Sequence, residues 1–86
     1  MTFMKKWKTI ASNILKAELK RRGITYNQLQ INLEHIGITD TVDGLKTKIS
    51  RGSFQFAFFL QCASAIGIKI LRLDELINSG VDHNQH

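Results

Sequence analysis

Proline is absent from all 86 residues, cysteine and tryptophan each occur once, and seven acids face twelve lysines and arginines. Without proline, helices run unbroken, and glycine, confined to a few punctuating sites, favours tight corners between them. The lone Cys62 excludes an internal disulfide, and its apolar surroundings mark it as a small core residue in a reducing compartment. An unbroken apolar run is also missing. Lys16 and Glu18 interrupt the N-terminal stretch that could resemble a signal segment. Gln55, Gln61, Ser64 and Lys69 interrupt residues 54 to 71, which fall short of the roughly 20 apolar residues of a membrane span. These absences predict a cytoplasmic domain that does not enter a membrane.

A chain of this length builds one small core, and a hydrophobic fraction of 43% is enough to fold it. Its net charge of +5 is unevenly placed. Residues 1 to 51 hold ten bases and four acids, whereas residues 52 to 86 hold two bases and three acids. Such asymmetry makes a directional field that attracts polyanions, of which nucleic acid is the commonest.

Helical periodicity and punctuation predict five helices. The first runs from about Met4 to Arg22, with Trp7, Ile10, Ile14 and Leu15 at helical spacing and Gly23 as its stop. Lys20, Arg21 and Arg22 read as a solvated basic end facing the negative pole of the helix dipole. Thr25 to Gln28 has the capping-box form, with Ile24 and Leu29 as its staple, so the second helix runs from Tyr26 to about His35. Thr39 and Asp40 are the expected caps of the third, whose stripe of Val42, Leu45 and Ile49 faces the core. Asp43, Thr47, Ser50 and Arg51 lie on the opposite side, with Lys46 and Lys48 on the flanks. After Gly52, Ser53 is the expected cap of the fourth helix, residues 54 to 66, which holds four of the five phenylalanines. Its apolar arc is about 240° wide, well over the stripe of a surface helix, which marks it as central or as a dimer contact. Residues 73 to 77 read as a short fifth helix, giving one domain over residues 1–77, and residues 78–86 read as a disordered polar tail.

Catalytic and cofactor patterns are lacking. His83 and His86 offer two metal ligands without a third, Cys62 has no neighbouring base, and the acids show no pairing. No enzyme activity, cofactor or metal is expected.

The order of elements resembles the phage-repressor-like helix-turn-helix domains of the Cro and C1 type. The resemblance is carried by Leu15, Gly23-Ile24-Thr25 with Leu29 and Leu33, the Ile49-x-Arg51-Gly52 close, and Ile66-Gly67-Ile68 before Leu73-Asp74-Glu75-Leu76-Ile77. LKAELKRRGITY together with KISRGSF is similar, more narrowly, to a family of short uncharacterised bacterial proteins. The first resemblance implies an all-α, compact five-helix bundle of the lambda-repressor type that regulates transcription by binding double-stranded DNA as a homodimer. The helix at about 40–51 then enters the major groove. Lys46, Asp43, Thr47 and Ser50 meet base edges; Lys48, Arg51, Tyr26, Asn27 and Gln28 meet phosphate. The corner from Leu33 to Ile38 is longer than the family's usual Leu-Gly-hydrophobic form, so helix three is tilted or helix two is extended.

Alternatives to these roles stand beside them. Arg51 can cap carbonyls at its own helix end, and Trp7 and Tyr26 can be partly buried for packing instead of stacking on bases. The whole chain can instead be an antitoxin-like or adaptor module that binds a protein through Phe56, Phe59 and Leu60. RNA is a third partner class, for which the sequence offers no stacking platform.

Overall fold

The computed structural model describes residues 3–70, with side chains from residue 6 onward. It is all-helical over that range, with four helices: α1 (Phe3–Arg21), α2 (Tyr26–His35), α3 (Val42–Arg51) and α4 (Phe56–Ile66). The expected fifth helix at 73–77 and the tail at 78–86 lie outside the described residues.

Leu15, Leu19, Leu29, Leu33, Leu45, Ile49, Cys62 and Ile66 make the core, so every helix sends at least one side chain into it. α1 packs on α3, α2 on α3, and α2 on α4. Phe54, Phe58 and Phe59 close over this cluster from the side, with Phe54 and Phe58 in a tilted ring contact at 5.6 Å. The apolar α4 is thus only partly central. Cys62, Ala63 and Ile66 are buried, whereas Phe56 and Leu60 remain exposed.

Three corners share one device. Gly23, Gly37 and Gly67 adopt the left-handed conformation, each is followed by isoleucine, and each isoleucine amide donates to the carbonyl five residues back: Ile24 to Leu19, Ile38 to Leu33, Ile68 to Ala63, all at 2.9 Å. The three isoleucines pack on the core. A Gly-Ile pair therefore satisfies orphan helix carbonyls and adds an apolar contact in a single step.

The N-terminal caps differ in part from expectation. Thr25 caps α2 as expected, accepting the Gln28 amide at 3.1 Å, but the Gln28 side chain donates to Asn32 at 2.8 Å instead of returning to the cap. The capping box is therefore half-formed. α3 is capped by Thr41, one or two residues beyond the expected Thr39 and Asp40. Thr41 Oγ1 accepts the Gly44 amide at 2.9 Å, and Asp40 Oδ1 accepts the Thr41 amide at 2.7 Å. Gly44 makes room for this arrangement, since a Cβ there would lie 2.5 Å from Asp40 Oδ1. Ser53 does not cap α4. The helix starts at Phe56, after Gln55, without a side-chain cap, and Phe54, outside it, packs against the core.

Two further expectations need correction. Trp7 is 52% exposed and does not join the core cluster, whereas Leu19, which the periodicity argument passed over, is buried. Arg21 and Arg22 are not a free solvated end. Both bind Glu18, whose side chain is buried, and Arg22 Nη1 also donates to the Ile66 carbonyl at 3.3 Å. Asn32 Nδ2 donates to the neighbouring Ala65 carbonyl at 3.2 Å, so Arg22, just past α1, and Asn32 of α2 together bind the end of α4.

Candidate functional site

α3 offers the most polar surface of the fold. Leu45 and Ile49 are fully buried beneath it, and this anchors the opposite face outward, where Asp43, Lys46, Thr47, Lys48, Ser50 and Arg51 are all exposed. Val42, placed in the buried stripe by its spacing, is only half-buried.

The two flanking lysines have different surroundings. Lys46 Nζ stands 5.9 Å from the ring centroid of Tyr26, the first residue of α2, within cation–π range. This contact brings the start of α2 beside the outer face of α3. Lys48 turns the other way: its Nζ is 2.6 Å from Asp40 Oδ2 and 5.3 Å from the Phe58 ring centroid. The Lys48 hydrogen bond, with a smaller contribution from the Thr41 amide, holds the Asp40 carboxyl below its usual pKa, so it is ionised at neutral pH. The loop between α2 and α3 is thereby tied down at Asp40, and α2 does not extend into it. It ends at His35.

Tyr26 is half-buried, and burial raises its phenol pKa, so the hydroxyl stays protonated and able to donate to an anion. Asn27 and Gln28 are exposed on the same helical turn, although the Gln28 amide is already bonded to Asn32. Beside this turn runs an open groove of about 340 Å³ lined by Lys16, Leu19, Lys20, Ile24, Thr25 and Tyr26. Lys16 and Lys20 had no part in the binding surface expected from the sequence. Their four-residue spacing puts them on one face of α1, and the Gly23 corner turns α2 back beside it.

The phenylalanine face lies elsewhere on the fold. Phe56 is 67% and Leu60 46% exposed, while Phe59 is half-buried and stacks on Phe56 at 6.1 Å. Cys62 is fully buried in the core, and burial pushes its thiol pKa up to about 12, so it is not a nucleophile at neutral pH. Among the described residues no three His, Cys, Asp or Glu side chains come together as metal ligands, and no helix is long and apolar enough to cross a membrane. His35 is exposed, and His83 and His86 lie outside the described residues.

The sequence pattern of a family described as a domain of unknown function, DUF6471, matches residues 7–71. The chain belongs to this family. The matched span contains α2, α3 and α4 whole and α1 from Trp7 onward, so the DUF6471 pattern covers the Gly-Ile corners, the Asp40–Lys48 pair and the exposed face of α3 alike. No curated protein and no solved structure matches the chain.

Proposed function

We propose that this protein is a sequence-specific double-stranded DNA-binding regulator of the Cro and C1 helix-turn-helix type, with α2 as the positioning helix and α3 as the recognition helix. The observation that carries the reading is the Lys46–Tyr26 contact, which sets the amino end of α2 beside the exposed face of α3. A helix-turn-helix needs that juxtaposition: the free amides at the start of one helix sit on the backbone while the next helix enters the groove. Asp43, Lys46, Thr47 and Ser50 point away from the core and form the base-reading set; Lys46 is the donor suited to guanine acceptors. Tyr26 and Asn27 supply backbone donors.

Affinity in such a complex comes mainly from phosphate neutralisation and falls steeply with salt. Titration into mixed-sequence duplex DNA by fluorescence anisotropy at two salt concentrations, then into a pool enriched on the protein, tests the reading. Steep salt dependence with tighter binding to the enriched pool supports it; no binding at low salt refutes it.

A second reading rests on the exposed Phe56 and Leu60. They form a protein-binding face, used by a second copy of the chain or by another protein of the antitoxin or adaptor kind. Lys46→Ala with Thr47→Ala separates the two, because DNA binding weakens while association through Phe56 and Leu60 is kept.

A further inference from the structure

The cations near α3 are not equally available to a polyanion. Lys48 is held by Asp40 at 2.6 Å and lies over Phe58, so moving it to a phosphate means giving up a formed ion pair. Arg51 is exposed, and no carboxylate or carbonyl engages it among the described residues. The residue after it, Gly52, is buried and packs so tightly on α1 that a Cβ built on it would lie 1.9 Å from the Lys8 carbonyl oxygen. This contact sets the backbone of Lys8 against the carboxyl end of α3. The side chains of Lys6, Trp7 and Lys8 are all exposed, and neither lysine has an ion-pair partner among the described residues.

We infer that a nucleic-acid phosphodiester backbone is gripped across the α1–α3 corner by Lys8 and Arg51, with Lys48 held back by Asp40. The inference rests on the DNA-binding reading above and changes its footprint: α1 joins the interface, and one flank of α3 leaves it. Two unpaired cations on neighbouring helix backbones lose little on meeting a phosphate, because neither must first release a carboxylate. Trp7, the single tryptophan, lies between Lys6 and Lys8 in sequence and reports events at this corner.

The test uses the full chain and mixed-sequence duplex DNA, followed by anisotropy from 50 to 200 mM salt, for the parent, Lys8→Ala, Arg51→Ala and Lys48→Ala. Each lost phosphate contact lowers the slope of log affinity against log salt by about 0.9, so a fourfold rise in salt weakens Lys8→Ala and Arg51→Ala each by ~3.5-fold less than the parent. Lys48→Ala keeps the parent slope, and Trp7 emission changes on addition of DNA. The Lys8 substitution leaves the corner itself in place, since the contact with Gly52 is made by the main chain. Lys8→Gln, which keeps part of the stem, gives the same slope as Lys8→Ala. A slope lost in Lys48→Ala and kept in the Lys8 and Arg51 variants overturns the inference and leaves DNA binding standing. A parent that does not bind DNA at 50 mM salt overturns both.

Discussion

Replacing Gly52 with alanine separates two costs that left-handed glycines usually combine. Gly23, Gly37 and Gly52 all sit at φ between 67° and 86°, so alanine at any of them pays about 1–2 kcal/mol for the left-handed backbone. At Gly23 and Gly37 nothing lies within 4 Å of the added Cβ, and that conformational cost is the whole effect. At Gly52 the Cβ would also meet the Lys8 carbonyl oxygen at 1.9 Å and its carbon at 2.7 Å. Both are main-chain atoms of a 19-residue helix and cannot swing aside. Relief requires α1 to move off α3, which opens the packing over Leu45 and Ile49; overpacking of this kind adds about 1–3 kcal/mol.

The sum for Gly52→Ala is about 2–5 kcal/mol, a large share of the stability of a domain this small. Thermal and urea unfolding of the three single variants measures it, with 1 kcal/mol corresponding to about 4–8 °C in Tm at this size. Gly52→Ala is expected to melt at least ~4–8 °C below both Gly23→Ala and Gly37→Ala. If all three melt together, the close approach of α1 to α3 is wrong, and with it the main-chain contact that sets Lys8 against Gly52 beside Arg51.

Other interactions give smaller or different effects. Asp40→Asn loses the pair with Lys48, an exposed contact worth about 0.5–1 kcal/mol at neutral pH. Because folding lowers the Asp40 pKa, its contribution is present above the ordinary carboxylate range and is lost as pH falls through the depressed value, so urea midpoints of parent and variant converge in strong acid. Arg22→Ala destabilises more than Arg21→Ala, by about 1 kcal/mol, because Arg22 also bonds the Ile66 carbonyl; chemical denaturation of the two variants shows the order. Cys62, buried and with its thiol pKa at about 12, reacts with an aromatic disulfide reagent at pH 8 at least ~100-fold more slowly in the native protein than in urea.

The helices could be read from the sequence wherever a local rule decided them. α2 lies where Thr25 and Gly37 place it, since a threonine cap and a left-handed glycine act within one turn. The start of α4 could not be read this way. Ser53 satisfies the local rule, but Phe54 packs against the core outside the helix, and the helix begins later at Phe56. Trp7 misled for a related reason: periodicity identifies a face without saying whether anything packs against it. At the candidate site the exposed set on α3 followed from its stripe of buried residues. Which lysines are occupied did not follow, because Lys48 and Asp40 are eight residues apart and meet only through the fold of the intervening loop.

The placement of charge explains why the phenylalanine block follows directly on a basic corner. Among the four described helices α4 alone carries no charged residue, while α1 and α3 carry most of the cations of a +5 chain. A second copy approaching through α1 or α3 would meet its own lysines, whereas one approaching through Phe56 and Leu60 would bury apolar area without bringing like charges together. Self-association through α4 would leave the exposed cations of α1 and α3 in both copies open to a polyanion. Leu60→Glu places a carboxylate on the neutral face, 46% exposed in the monomer, and is expected to shift sedimentation to the monomer with folding retained. In the DNA-binding reading the variant keeps the phosphate contacts of a single copy, so its salt slope is expected to fall to about half that of a dimeric parent. An unchanged slope together with a monomeric parent means that one copy docks alone, and the exposed phenylalanine then belongs to the protein-binding reading.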